Sequence, residues 1–403
     1  MTAIAPQGRR RAQPIHVKRL RVAILYGGRS GEHEVSLASA AAVFANLDRA
    51  RYEPTAVRIE KDGRWVLPDR PPSAASAAEV IDQVRRDAGR LRGGREVVLP
   101  PRPGADTLFA LDRRAAGADG EASTVTVAGL GVDIVFPVLH GPLGEDGTIQ
   151  GLLELAGIPY VGCGVLASAA GMDKLVMKTL FRAQGLRVPD WVAVDGHAWA
   201  VAPADVTRRI EQALAYPLFV KPANMGSSLG VSKVTSADQL ADAVELAVEF
   251  DRRVVVEAAV DTPREIECAV LGNELAEASA PGEIVPSREF YDYEAKYIDD
   301  GSRPIIPAAL DASTADEIRQ QALRAFHAID GAGLARVDFL LSRATGELFV
   351  NEINTMPGFT TISMFAKLWA ASGVDYPALV DRLIALGFER HKEKQRLRTS
   401  AFA

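Results

Sequence analysis

Residues 335–354 read ARVDFLLSRATGELFVNEIN, two β-rich runs around a Thr-Gly turn, and this stretch decides the fold of the C-terminal half. Strand side chains alternate faces, so Arg336 and Asp338 share one face of the first run and Glu352 and Asn354 share one face of the second. A hairpin register centred on Thr345 sets Asp338 opposite Glu352 and Arg336 opposite Asn354. Two carboxylates and an amide carbonyl then converge. These are hard oxygen donors suited to magnesium, which keeps waters and bridges substrate phosphates. The competing reading is a solvated sheet face held by cross-strand ion pairs. Four polar residues amid Val, Phe, Leu and Ile favour the site.

Around this hairpin lie the strand candidates VVVEAAV (254–260) and EIECAVLG (265–272) and the helix candidates SADQLADAVELAVEF (236–250) and TADEIRQQALRAFHAIDG (314–331). Each helix candidate has a Ser or Thr start and acidic residues in its first turn, as N-termini favour. The unit reads as α+β with antiparallel hairpins. Further upstream, the helical pattern MDKLVMKTLFRAQG (172–185) leads to a strand, YPLFVKP, and to the loop KPANMGSSLGVSKV (221–234). That loop has a lysine, glycines and serines able to cover phosphates with N–H groups, without the order of a Walker A motif. Its bland alternative is a glycine-rich hairpin turn.

The first half opens with RVAILYGG (21–28) and an alanine-rich helix from Val35 to Leu47. VDIVFPVLHG, IQGLLELAG closed by Gly157, and IPYVGCG follow further on. This alternation predicts a mostly parallel α/β sheet. Residues 68–123, rich in Pro, Arg, Ala and Gly, read as an insertion carrying three short strands. HGPLGEDG (140–147) puts His140 and Glu145 at the carboxyl edge of that sheet, where such folds bind ligands, although a lone histidine is more often structural. FYDYEAKY (290–297) is too aromatic and charged for a flexible linker and reads as a lid, against the alternative of a packed surface loop.

The chain has 403 residues, 48% hydrophobic and 24% charged, enough for two or three domains. No run of eighteen apolar residues offers a membrane span. A net charge of -6 argues against a dedicated nucleic-acid binder and for small-molecule partners. Two distant cysteines give neither a disulfide framework nor a zinc site, and a reducing cytoplasm fits. Arg9 to Arg11 precede no apolar signal core, so the first residues read as a frayed tail.

Taken together, GGRSGEHEVSL, LHGPLGEDGTIQG, MDKLVMK, KPANMGSS, FYDYEAKY, ARVDF and NEINTMPGFTTISM resemble, in content and order, the D-alanine-D-alanine ligases of the ATP-grasp superfamily, over about residues 21–387. The resemblance implies an α/β and α+β chain: an ATP-grasp fold with an N-terminal open α/β (Rossmann-like) domain. It divides the chain into a tail (1–17), an N-terminal substrate domain (18–162, with the insertion), a central subdomain (163–257), a C-terminal subdomain (258–390) and a second tail (391–403). ATP is gripped between the central and C-terminal subdomains. Carried over by motif, Lys174, Lys221, Lys296 and Ser228 meet the phosphates. Glu257, Ala258, Ala259 and Val260 meet the adenine, with Ala258 standing where relatives often have lysine. Glu265, one residue later than in some relatives, meets the ribose. Asp338, Glu352 and Asn354 hold magnesium, as two ions with manganese as a substitute.

The implied reaction has two steps. One D-alanine carboxylate takes the γ-phosphoryl group, and the acyl phosphate is then attacked by the amine of a second D-alanine. Arg336 and the Gly358 N–H meet the oxyanion. Tyr297 in the lid meets Ser227 and Glu32, and Glu32 holds the first ammonium. His140 lies near the first carboxylate, with Ser363 and Met364 at the second site. Tyr297 also favours D-alanine over D-lactate as second substrate. A homodimer and a role in bacterial peptidoglycan assembly in the cytoplasm complete the expectation. Its rivals are an ATP-grasp ligase for another acid and amine, a non-catalytic nucleotide-binding regulator, and a Rossmann oxidoreductase, which the missing G-x-G-x-x-G opposes.

Overall fold

A computed structural model describes residues 18–73, 79, 94–104, 107–114, 124–285, 303–360 and 362–398. The stretch 290–297, with Lys296 and Tyr297, lies outside them, as does the first tail. The buried run LRVAILYG forms β1 (Leu20–Gly27), which pairs in parallel with β2 (Tyr52–Ile59) and β7 (Ile134–Val138). Helix α1 (His33–Asn46) makes the crossover. Beyond β2 the sheet continues as an antiparallel meander of β3 (Trp65–Leu67), β4 (Arg95–Val98), β5 (Leu108–Arg114) and β6 (Thr124–Leu130), in the order β6-β5-β4-β3-β2-β1-β7. The expected mostly parallel sheet is therefore parallel only at β2-β1-β7. Every pairing from β2 outward to β6 is antiparallel. Helix α2 (Thr148–Ala156) covers the opposite face and stops as expected at Gly157, whose φ of 65° lets its own N–H and that of Ile158 close on Glu154 O and Leu153 O.

The next sheet begins after α3 (Val165–Met172) and α4 (Lys174–Ala183). It comprises β8 (Trp191–Asp195), β9 (Leu218–Pro222), β10 (Ser232–Val234) and β11 (Arg253–Ala258), all antiparallel, in the order β10-β9-β11-β8. One face packs Val194, Leu218, Val220, Val254 and Val256 against α5 (Gly196–Val201), α6 (Pro203–Ala213) and α7 (Leu240–Phe250). The helix expected from Ser236 starts as one tight 3-10 turn, Ala237–Gln239, before α7.

The third sheet has β12 (Pro263–Gly272) at its centre, with β13 (Glu277–Ala278) and β14 (Gly282–Val285) folding back on it and β15 (Arg303–Ile305) beyond. On its other side come β16 (Gly333–Ser342) and β17 (Leu348–Asn354). Helix α8 (Ala312–Ala328) starts at Asp311, earlier than the expected Thr314, because the Asp311 carboxylate accepts the Thr314 N–H at 2.9 Å and the hydroxyls of Ser313 and Thr314. The expected register is present, Arg336 against Asn354 and Asp338 against Glu352, but a bulge follows at Asp338/Phe339. Strict alternation would set Leu348 and Val350 on the face of Glu352 and Asn354. The extra residue, Asn351, flips that parity, so Val350 and Leu348 enter the core while the polar pair faces the site.

Helices α9 (Met364–Ala371) and α10 (Tyr376–Gln395) close the chain, and α10 runs past residue 390, where a tail was expected. Leu379, Val380, Leu383 and Ile384 of α10 share one buried cluster with Val22, Ile24 and Phe136 of the first sheet and Leu271 and Leu334 of the third. The C-terminal helix is thus a wedge between sheets. Asp381 on it also pairs with Arg51 and the Tyr52 hydroxyl.

Candidate active site

Three strands of the third sheet bring charge together. Glu267 of β12 stands opposite Asp338 of β16, and Asp338 opposite Glu352 of β17, so three carboxylates line up across the sheet. Arg336, two residues along from Asp338, donates Nε and Nη2 to its carboxylate at 2.6 and 2.7 Å, and Nε lies 3.1 Å from Glu267. Asn354 Nδ2 reaches Asp338 at 3.0 Å. Burial works against the Arg336 charge, but Asp338 and Glu267 outweigh it and hold its pKa well above the ordinary value. The Asn354 amide, turned by half a rotation, offers its oxygen in the same place. Two or three carboxylates and an amide are a donor set that suits a hard divalent cation, although no described group of three acidic, His or Cys side chains has closed to metal distances.

Helix α4 aims a lysine at this row. Its start is fixed by Asp173, which accepts the N–H groups of Leu175 and Val176 at 3.1 Å and also binds Arg253 and Asn224. Lys174, the first helical residue, sits with Nζ 2.7 Å from Met225 O and 3.9 Å from Glu352. One turn on, Lys178 is buried, its Nζ 2.8 Å from Glu257, whose other oxygen binds Lys221. Burial alone would raise the Glu257 pKa, but the two lysines bring it down to about 2. Burial wins at Lys178, lowering its pKa; at Lys221 the charge of Glu257 overcomes burial and raises it.

The phosphate-loop candidate rises from Lys221. Asn224 is tied by its N–H to Asp251 at 2.7 Å, and Ser227 and Ser228 both have left-handed backbones, with φ of 49° and 58°. Such consecutive strained positions occur in loops that turn their N–H groups inward on an anion. Glu32, buried in the first domain, faces this loop: a β-carbon on Gly226 would stand 3.2 Å from Glu32 Oε1, and one on Gly141 3.0 Å from Oε2. His140 is buried next to it, within 3.5 Å of Glu145. Burial opposes protonation of His140, but Glu145 and Glu32 prevail and its pKa is raised. A β-carbon on Gly358 would lie 3.1 Å from Ser363 Oγ, which accepts the Thr360 N–H at 3.0 Å.

Glu32, Ser227, Ser228, Lys174, Lys221, Glu352, Asp338, Asn354 and Arg336 therefore lie in one connected neighbourhood, with His140 linked to it through Glu32. Met364 instead turns into the core against Gly282. The N–H groups of Ala258 and Ala259 are given to Asp190 O and Pro217 O. Glu265 shares a strand face with Glu267. Two residues escaped the sequence reading. Lys178 was signalled by its four-residue spacing from Lys174 on one helix face. Glu267 was signalled by its parity with Glu265, but the pairing of β12 with β16 joins distant segments.

Comparison with known proteins gives a consistent picture. A family model described as D-ala D-ala ligase N-terminus matches residues 21–163, and one described as D-ala D-ala ligase C-terminus matches residues 180–385. A D-alanine–D-alanine ligase of Heliobacterium modesticaldum is 48% identical over 375 residues, covering 93% of this chain and 96% of the relative. One from a Thermoanaerobacter species is 47% identical, over 94% and 99%. Among solved structures, the D-alanine-D-alanine ligase from Coxiella burnetii is 34% identical with a TM-score of 0.74, over 94% of this chain and 97% of that one. A D-Ala:D-Ser ligase from Enterococcus faecalis is 34% identical with a TM-score of 0.75, over 92% and 100%.

Proposed function

Since this chain belongs to the D-alanine–D-alanine ligase family, we propose how its own residues divide the family's work. The chain is an ATP-dependent ligase that forms D-alanyl-D-alanine, the dipeptide of peptidoglycan synthesis. The observation that supports the division of labour is the row Glu267-Asp338-Glu352 with Arg336 at its centre and Lys174 3.9 Å from its edge.

Lys174, Lys221 and Lys296, with the backbone of Ser227 and Ser228, hold the triphosphate between the central and C-terminal subdomains. Glu257 keeps Lys221 charged, and the segment through Val260 lines the base, with Glu265 toward the ribose. Asp338, Glu352 and Asn354 hold magnesium, which neutralises phosphate charge. The first D-alanine lies with its ammonium at Glu32 and its carboxylate toward His140. Once the acyl phosphate has formed, the second amine attacks its carbonyl carbon, and phosphate leaves as the tetrahedral oxyanion collapses. Arg336 gives its Nε–H and one Nη2 hydrogen to Asp338, which leaves three N–H donors, two of them on Nη1, to meet that oxyanion together with the Gly358 N–H. Tyr297 and the lid keep water from the acyl phosphate. Ser363 meets the second carboxylate, and Met364 backs that pocket from the core. The three-domain division, a second metal ion, manganese as a substitute, a homodimer and a cytoplasmic place of action belong to the same proposal. No described helix is long and apolar enough to cross a membrane.

The test is phosphate release from magnesium ATP with D-alanine, alone or with D-serine or D-lactate, and mass detection of the product. D-alanyl-D-alanine as the main product is expected. D-alanine-dependent phosphate release yielding chiefly the D-serine or D-lactate product would overturn the assignment of the second substrate.

A further inference from the structure

The loop that carries Gly358 is fastened from the first domain. His140, just beyond β7, has Nδ1 3.0 Å from Met356 O and Nε2 3.0 Å from Ser39 Oγ; Ser39, fully buried on α1, also accepts the Phe359 N–H at 3.2 Å. Tyr376 donates its hydroxyl to the Phe359 carbonyl. The carbonyl two residues before Gly358 and the amide directly after it are therefore held by one serine–histidine pair. Donor and acceptor roles follow from the inventory of each group. Met356 O can only accept, so Nδ1 carries a hydrogen. In the neutral ring Nε2 then has the lone pair and accepts from the Ser39 hydroxyl, whose oxygen stays available to Phe359 N–H. The chain of bonds has one direction and no orphan.

We propose that Ser39, acting with His140, is a positioning residue that sets the direction of the Gly358 N–H. The inference rests on the reading of Gly358 as an oxyanion donor. Gly358 has no β-carbon to lock its backbone, and the oxyanion needs its donor aimed before charge develops, so fixed peptides on both sides supply the rigidity. The clamp also crosses from the domain that holds the first D-alanine to the loop that stabilises the transition state, so binding and electrostatics share one framework. Ser39 itself touches no substrate in this arrangement.

The test uses the full chain with Ser39→Ala and Ser39→Thr, both checked for folding by thermal unfolding. Ser39→Ala is expected to lower kcat by about 10-fold to 100-fold, the scale of a displaced catalytic group, with the KM for ATP unchanged. Ser39→Thr, which keeps the hydroxyl, should restore most of it. In parallel, hydrogen exchange of the Phe359 amide should speed up in Ser39→Ala. The 15N signal of His140 Nε2, read where the ring is neutral, should shift as that nitrogen loses the Ser39 hydroxyl, while Nδ1 keeps its hydrogen on Met356 O. If neither signal moves in Ser39→Ala, the clamp does not exist and the proposal falls. If both move while kcat stays at the wild-type level, Gly358 has no oxyanion role and the catalytic claim falls with that reading.

Discussion

On the third sheet three carboxylates, Glu267, Asp338 and Glu352, gather around one guanidinium, whereas beside the second sheet Lys178 of α4 and Lys221 of β9 share the carboxylate of Glu257 on β11. Both clusters pair opposite charges, yet the first is weighted toward negative and the second toward positive. A metal–triphosphate carries both signs, and under the proposed division of labour each cluster would meet the part of opposite charge. Burial separates them further. Side chains of the carboxylate row keep 12 to 26% exposure, while Lys178 and Glu257 keep 1 and 2%. The row is reachable from solvent. The buried group is a fixed support.

Breaking the row should have the largest effect. Arg336→Ala is expected to reduce ligation by about 10²- to 10³-fold with ATP affinity largely kept, read by kcat and by nucleotide titration. Full activity would remove the oxyanion role from Arg336. Breaking the buried group should act on stability first: Lys178→Met leaves Glu257 with one partner and should cost about 2 kcal/mol in urea unfolding, together with a raised KM for ATP. A variant as stable as the parent would show that Lys221 alone satisfies Glu257.

The acid limb sharpens the contrast. Glu257 is held at about 2 in the folded chain, against 4.5 ordinarily, so its stabilisation is complete above pH 4.5 and is lost as pH falls toward 2. Urea midpoints followed across that window should fall, and in Lys178→Met the fall should be smaller and be over at higher pH, because one of the two charges depressing the carboxyl is gone. The smallest effect is expected where charges face solvent. Arg187 and Glu347 pair at 2.6 Å near the hairpin turn with about half of each side chain exposed, and Arg187→Gln should shift stability by under about 0.5 kcal/mol. A loss several times larger would mean that exposure is a poor guide to which pair matters here.

The hairpin was legible because side-chain parity is a local property: Arg336, Asp338, Glu352 and Asn354 declare their face within twenty residues. The bulge was half legible, since Leu348 and Val350 are apolar on the parity that Glu352 and Asn354 make polar, and a single extra residue resolves the conflict. Glu267 was not legible as a member of the row, because which strand lies beside β16 is decided by the packing of segments some seventy residues apart. The parallel character of the first sheet was overread for the same reason. RVAILYGG and VDIVFPV look alike, but the pieces between them add strands that pair antiparallel. Asp311 was passed over as a helix start because Thr314 also fits the pattern, and only geometry shows the carboxylate taking three donors at once.

Helix α10 carries a consequence for how the chain is made. Its Leu379, Val380, Leu383 and Ile384 complete a core that Val22, Ile24 and Phe136 begin, so the first domain to leave the ribosome waits more than two hundred residues for the helix that covers one of its faces. During that interval α1, whose Ala40, Val43 and Phe44 belong to the same cluster, covers only part of that apolar face, and the part that α10 seals stays open. Helix α10 thus ties completion of the first domain's core to synthesis of the segment that follows the third sheet.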